Sequence, residues 1–263
     1  MLPIRHPLSI STRALVFGAF LMVSPSALAA EITFFCAGAL RPSMERIFPE
    51  FTASTGDRVT ATFTAIGAIT DRVRKGERID LATVSSQQWD DLAKEGKIDP
   101  GTRVVIAKVG LALFIRKGIA KPNIDSVEAF KQTLLSAHSF ALGDPAIGSP
   151  VGAYAIRLFE RLGIAAEMRS KLRLVAGLPV APVAKGEVDA EMGIAQLSEI
   201  VSVPGVTLVG LLPAEIQNVT LYTTAIPLAA SDPARAKKLI DFLKSATARR
   251  ALEANGLQTG DSP

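Results

Sequence analysis

Cysteine and histidine are nearly absent from this chain of 263 residues. Cys36 is the only cysteine, so no intrachain disulfide can form, and its place in an apolar run predicts a small buried hydrophobe. His6 and His138 are the only histidines, which excludes a metal site built from a histidine cluster. A Ser/His/Asp set and a glycine-rich nucleotide loop are also missing from the sequence. We therefore expect no metal and no cofactor.

An excess of charge of one sign is missing too. The chain carries 29 basic and 25 acidic residues, and Arg5 and Arg13 lie in a segment without acidic residues at its start. Removal of residues 1–29 would leave a net charge of about +2. No basic run is interleaved with aromatic residues. This composition excludes nucleic acid as a partner.

Residues 14–23 are the only long apolar run. The run is too short to span a bilayer comfortably, which disfavours a membrane anchor. The small residues Ala27 and Ala29 follow it, as in a signal-peptidase site. We therefore expect a signal peptide over residues 1–29, cleaved after Ala29, and a mature protein exported to the periplasm.

Short apolar runs alternate with longer segments of helical periodicity through the rest of the chain. This order is typical of a mostly parallel sheet covered by helices on both faces. Two extended runs, residues 104–115 and 221–229, separate one strand–helix set from another. The sequence therefore predicts an α/β protein with two lobes, each a mixed sheet flanked by helices, joined by two hinge crossings. Lobe 1 would comprise residues 30–110 and 222–263, and lobe 2 residues 111–221.

Several motifs follow one another in an order that resembles the molybdate-binding-protein family of periplasmic solute receptors, over nearly the whole mature chain. The motifs are FCAGAL at 35–40, FTAIGAI at 63–69, IDLATVS at 79–85 with Trp89, GDP at 143–145 with Gly152 and Tyr154, and KGEVD at 185–189. The resemblance implies the type 2 periplasmic binding protein fold. It also implies closure about a hinge and a ligand held between loops of both lobes.

The chain departs from this family at three positions. Members that bind tetrahedral oxyanions have serine where this chain has Ala39 and Ile66, and tyrosine where it has Gln196. The loss of hydroxyl donors removes hydrogen bonds that a buried oxyanion needs, which favours a carboxylate over molybdate. Residues 186–193, 196–199 and 210–217 resemble a side branch of the family that includes aconitate isomerase, which interconverts cis- and trans-aconitate.

The predicted site combines small residues at strand-to-helix junctions with a few polar side chains. Helix N-termini there would present unpaired N–H groups to an anion, and the guanidinium of Arg41 would contact a carboxylate. Glu191 and Glu199 are the candidate bases if the protein is an enzyme. The predicted ligand-binding residues are Ala37, Gly38, Ala39, Arg41, Thr64, Ala65, Ile66, Gly67, Ser85, Ser149, Val151, Gly152 and Gln196.

Two functions remain open on the sequence alone, and nothing in the sequence favours a third, a sensor domain that reports a ligand to a membrane kinase, over these two. The first is a monomeric periplasmic receptor for a small anion, an organic polycarboxylate rather than molybdate, that feeds a membrane component of an ABC transporter. The alternative is a periplasmic aconitate isomerase on the same scaffold. The sequence does not identify the general base of such an enzyme.

Overall fold

The structure is a computed structural model that describes residues 31–259. The predicted signal peptide and its cleavage site after Ala29 lie outside these residues. The strands are β1 (Glu31–Ala37), β2 (Arg58–Thr64), β3 (Leu81–Ser85), β4 (Val104–Arg116), β5 (Phe140–Gly143), β6 (Leu172–Val175), β7 (Met192–Gln196), β8 (Val206–Leu211) and β9 (Val219–Ala225). The helices are α1 (Arg41–Thr55), α2 (Ile66–Arg74), α3 (Ser86–Lys94), α4 (Val127–Ser136), α5 (Pro150–Arg161), α6 (Ala165–Lys171), α7 (Val180–Ala184), α8 (Leu197–Ile200), α9 (Pro233–Leu243) and α10 (Ala246–Glu253).

The strands form two mixed sheets that share β4. In the first, β1 pairs in parallel with β2 and β3, and β9 runs antiparallel between β3 and β4. In the second, β5 pairs in parallel with β6 and β7, while β4 runs antiparallel to β7 and β8. This arrangement confirms the predicted two-lobed α/β fold.

Strand β4 crosses from one lobe to the other. Its first part, up to Gly110, pairs with β9, and from Leu111 onwards it pairs with β7 and β8. The two sheets therefore meet on β4 between Gly110 and Leu111, and the division of the chain into lobe segments at these residues stays a prediction. On the return crossing, Val219 already pairs with Gly110. The first sheet thus resumes slightly before residue 222, the predicted start of the second segment.

Each face of the lobe 1 sheet is covered by helices. Phe34, Ile47 and Leu239 are buried together where α1, α9 and α10 pack on one face. On the other face, where α2 and α3 pack, Val84 of β3 is buried together with Leu92 of α3. Burial of one such side chain contributes about 1.5–3 kcal/mol to folding. Helices on both faces explain why these strands are apolar in succession instead of alternating.

Lobe 2 repeats this construction around β4, β5 and β7. Leu113, Phe130 and Phe159 are buried on one face. The next residue of β4, Phe114, points to the opposite face and is buried with Val183. The two lobes therefore have separate hydrophobic cores, and the crossing strands connect them.

Some elements were not predicted from the sequence. Strand β8 has only one buried residue, Val209, and its other residues are half-buried or exposed. Helix α10 is short and depends on Ser245, whose hydroxyl accepts a hydrogen bond from Ala248 N–H. None of the helices within residues 31–259 has both the length and the hydropathy required to cross a bilayer. Cys36 is fully buried in the lobe 1 core, as its apolar neighbourhood predicts.

Candidate functional site

A cavity of about 810 Å³ lies between the lobes, at the carboxyl ends of strands from both sheets. Its position agrees with the rule that open α/β sheets bind ligands beyond these strand ends. Eleven of the thirteen predicted residues line it: Ala37, Gly38, Ala39, Thr64, Ala65, Ile66, Gly67, Ser85, Ser149, Val151 and Gln196. The structure thus brings most of the candidate site together, and ligand contact by these residues stays a prediction.

Arg41 and Gly152 do not line the cavity. The guanidinium of Arg41 lies 4.4 Å from the ring centre of Phe63 and 3.7 Å from Glu45, and the side chain is 54% exposed. Gly152 is buried where α5 crosses β5, and a Cβ there would lie 2.0 Å from the carbonyl oxygen of Gly143. Its role in the structure is to allow close packing of helix and strand.

The N-terminus of α2 is open towards the cavity. Ala65 precedes the helix and has no side chain that could cap it. The first N–H bonded within the helix is that of Ile69, which donates to the carbonyl of Ala65. The N–H groups of Ile66, Gly67 and Ala68 therefore have no helical acceptor. The helix dipole and these donors together favour an anion at this point of the wall.

The N-termini of α3 and α5 are capped by their own side chains. Ser85 Oγ accepts a hydrogen bond from Gln88 N–H at 3.2 Å, completing a capping box with the Gln88 side chain. Ser149 Oγ accepts from Gly152 N–H at 3.0 Å, and Pro150 at the first position has no N–H. These termini therefore have fewer free donors than the N-terminus of α2.

Gln196 and Tyr222 form the hinge side of the cavity. The Tyr222 hydroxyl donates to Gln196 Oε1 at 2.8 Å, and Gln196 Nε2 donates to Thr220 Oγ1 at 3.1 Å. Burial raises the pKa of Tyr222, and the nearby carboxylate of Glu199 raises it further. A tyrosine hydroxyl thus reaches the cavity, but from β9 and not from the end of β7, where the family resemblance places it.

Glu199 also lines the cavity, although the sequence interpretation did not include it among the ligand-binding residues. Its Oε2 accepts a hydrogen bond from Gln196 N–H at 3.1 Å. Burial raises the pKa of Glu199 from 4.5 to about 7, against the smaller opposing effect of this hydrogen bond. The three-residue spacing from Gln196 is that of a capping box, but glutamine stands where the sequence signature has serine or threonine, so the pattern gave only a weak signal for Glu199.

The other candidate base, Glu191, lies outside the cavity. Its carboxylate accepts from His138 N–H at 2.9 Å and contacts His138 Nδ1 at 3.1 Å. Asp144, by contrast, lines the cavity, and its side chain accepts from Ala146 N–H at 2.8 Å. Asp144 therefore caps the turn that leads to α5, as expected of a residue before a proline.

The cavity wall combines backbone donors with apolar and polar surface, and its acidic residues are Asp144 and Glu199. In residues 31–259, no lysine or arginine lines it. The described part of the chain also contains no group of three or more His, Cys, Asp or Glu side chains placed to hold a metal ion. Charge on a ligand would therefore be met by N–H groups and neutral side chains.

Two α/β lobes, a pair of crossing strands and an anion-compatible cavity between the lobes define a solute-binding protein. The family model of the bacterial extracellular solute-binding proteins matches residues 32–258. The chain belongs to this family.

Three comparisons place the chain within this group. It is 33% identical to aconitate isomerase from Pseudomonas sp. over 255 residues, covering 93% of this chain and 95% of that protein. It is 26% identical to the molybdate-binding protein of Azotobacter vinelandii over 257 residues, covering 94% and 97%. The solved structure of the A. vinelandii periplasmic molybdate-binding protein matches with a TM-score of 0.69 at 18% identity, over 88% of this chain and all of that one. These findings confirm the family resemblance read from the sequence.

Proposed function

We propose that the protein binds a small organic polycarboxylate in the cavity between its lobes. The observation that carries this proposal is the wall formed by Ala39 and Ile66 beside the open N-terminus of α2. The free N–H groups would bind a carboxylate, and the apolar side chains would pack against a carbon skeleton. A compact tetrahedral oxyanion has no carbon atoms to contact this wall, and it would lack the hydroxyl donors that serines provide.

The opposite wall supports the same proposal. Ile147 and Leu178 of lobe 2 line the cavity and are 63% and 59% exposed. Large apolar side chains at a cavity wall favour a ligand that covers them. The volume of about 810 Å³ also falls in the range of sites for organic molecules.

Delivery of the ligand to a membrane transporter is the next step of the proposal. In this proposal the chain is exported by the segment before Ala30, works in the periplasm as a monomer and passes its ligand to an ABC transporter. Membership of the bacterial extracellular solute-binding proteins supports this step.

Thermal melts of the mature protein against a panel of oxyanions and di- and tricarboxylates test the proposal. A ligand at about 100 times its dissociation constant stabilises the folded state by about 2.7 kcal/mol. This corresponds to a rise of several degrees in melting temperature. We expect such a rise with at least one organic acid, and no rise with any of them would overturn the proposal.

A second candidate function is isomerisation of the bound acid, and Glu199 is the observation that favours it. Glu199 lines the cavity, and burial raises the pKa of its carboxyl group to about 7. The 33% identity to aconitate isomerase supports the same function. Incubation of the mature protein with trans-aconitate, followed by chromatography for cis-aconitate, tests it. If folded protein produces no cis-aconitate, the receptor function is the only one of the two that remains.

A further inference from the structure

The Glu199 carboxylate is oriented by the chain but keeps one oxygen free for a ligand. Helix α8 begins directly after β7, and this turn brings Glu199 back to the backbone N–H of Gln196, which donates to Oε2 at 3.1 Å. For the other oxygen, Oε1, the structure shows no protein donor within residues 31–259. Glu199 is one of the residues that line the cavity, and Oε1 is the oxygen that the protein leaves without a donor.

The surroundings of Glu199 disfavour its charged form, because the group is buried and has no cation beside it in residues 31–259. In the described chain Glu199 forms no ion pair, and burial raises its pKa to about 7. The titratable groups that share the cavity wall are Tyr222, whose hydroxyl donates to Gln196, and Asp144, which caps the turn before α5. A carboxyl group that titrates near neutrality can both take and return a proton.

We propose that Glu199 is the base and then the acid of a 1,3-proton shift in a bound unsaturated polycarboxylate. This proposal rests on the isomerase function proposed above. Glu199 removes a proton from the CH₂ group next to the double bond, and the C–H electron pair becomes the new double bond. The protonated Glu199 carboxyl exchanges its proton with solvent, and the electrons of the old double bond then accept a proton from this carboxyl at the far carbon. One C–H bond breaks and another forms, so the step needs no oxidant, reductant or co-reactant.

The charge that develops on the ligand needs donors on another wall of the cavity. During the shift, negative charge spreads from the carbon atoms into a neighbouring carboxylate. The N–H groups of Ile66, Gly67 and Ala68 at the open end of α2 are fixed by the backbone and have no helical acceptor. Preorganised donors of this kind stabilise a developing oxyanion without reorganisation.

A purely structural role for Glu199 would be the helix cap, and one substitution separates the two roles. Glu199→Gln keeps a side-chain oxygen that accepts the Gln196 N–H, so the capping box is preserved. It removes the group that can take a proton. Glu191→Gln is the matched control, because Glu191 is the other candidate base from the sequence and lies outside the cavity beside His138.

The experiment follows trans-aconitate with wild type and both variants in D₂O. Chromatography measures conversion, NMR measures deuterium incorporated at the CH₂ position, and calorimetry measures binding. We expect wild type to convert the acid with deuterium incorporation. Glu199→Gln should lose at least about 100-fold in kcat while binding the acid no more weakly. Glu191→Gln should stay within about threefold of wild type.

Three results would overturn the proposal. One is Glu199→Gln protein that converts the acid at the wild-type rate. Another is wild-type protein that binds the acid without conversion or deuterium incorporation, which leaves the binding proposal intact. The third needs no variant, because we expect the wild-type kcat to rise with pH to a plateau, and a flat profile excludes a titrating base. Failure of wild type to bind any organic acid would instead overturn the proposed function, and the role of Glu199 with it.

Discussion

The hydroxyl of Tyr222 donates a 2.8 Å hydrogen bond to Oε1 of Gln196 and so ties the hinge strand β9 to the end of β7 in lobe 2. Tyr222 is only 2% exposed. The Gln196 amide donates in turn to Thr220 on β9. The Gln196 side chain is therefore fixed at the cavity wall by two contacts with the strand that crosses between the lobes.

Removal of this hydroxyl should affect both stability and binding. Tyr222→Phe leaves Gln196 Oε1 without its donor, so we expect the free energy of unfolding to fall by about 1–2 kcal/mol. We also expect weaker binding of an organic acid, because Gln196 is no longer held in place. Urea unfolding and calorimetry measure the two effects.

The second tyrosine provides the control. The Tyr154 hydroxyl donates to the carbonyl of Ile216 at 2.7 Å and does not line the cavity. Tyr154→Phe should therefore reduce stability by a similar amount and leave ligand affinity unchanged. Equal affinities for wild type and Tyr222→Phe would show that the Tyr222–Gln196 contact does not organise the site.

Restoration of hydroxyl groups in the first lobe should shift the preference towards tetrahedral oxyanions. The double substitution Ala39→Ser with Ile66→Ser places a hydroxyl at each of two positions that line the cavity. A hydrogen bond to a charged group contributes about 1.5–3 kcal/mol, so we expect molybdate affinity to rise at least about tenfold. Calorimetry with molybdate and with an organic acid measures the change. If the double variant binds molybdate no better than wild type, hydroxyl donors at these positions do not determine the preference.

The stability of the protein should depend on pH through Glu199. Burial raises the pKa of this group from 4.5 to about 7, so between these values the folded protein retains a proton that the unfolded chain has released. The contribution of Glu199 to the free energy of unfolding should therefore fall as the pH rises through this interval and stay constant above it. The fall is at most roughly 3 to 4 kcal/mol. Glu199→Gln removes this dependence and should be more stable than wild type at high pH.

Urea unfolding of both proteins at about pH 5 and about pH 8 measures this difference. The comparison isolates Glu199, because every other titrating group is common to the two proteins. A stability difference between variant and wild type that is the same at both pH values would show that Glu199 has an ordinary pKa in the folded state.

Gly152 should tolerate no side chain. A Cβ there would lie 2.0 Å from the carbonyl oxygen of Gly143, while a Cβ at Gly67 meets nothing within 4 Å. We expect Gly152→Ala to lower the free energy of unfolding by about 1–3 kcal/mol, because the helix must move away from β5. Gly67→Ala should leave stability within about 0.5 kcal/mol of wild type or raise it. Equal unfolding midpoints for the two variants would contradict this packing.

The alternation of apolar runs and helical periods was sufficient to predict the order of most elements. Helix α9 begins after Asp232 and at Pro233, as the sequence signals for an N-cap and a first helical turn predict. Strand–helix junctions also located the loops at Ala37 and Ala65, because ligands in such folds bind where strands end. These inferences succeed because they depend on local pattern alone.

The sequence could not supply the direction of individual side chains. Arg41 follows the first loop directly, yet its guanidinium turns to Phe63 and Glu45 on the outside of the lobe. Glu199 looks like a surface residue until α8 turns it back to Gln196 and into the cavity. Both outcomes depend on tertiary contacts between segments, which neither periodicity nor spacing contains.

Binding of an organic acid in the cavity is tested by calorimetric titration of the mature protein with trans-aconitate, other di- and tricarboxylates and molybdate. We expect saturable binding of at least one of these organic acids and negligible binding of molybdate. We also expect Gly67→Asp, which places a carboxylate at the open N-terminus of α2, to abolish binding of the acid. Tight binding of molybdate with no binding of any organic acid would show that the cavity is not a polycarboxylate site.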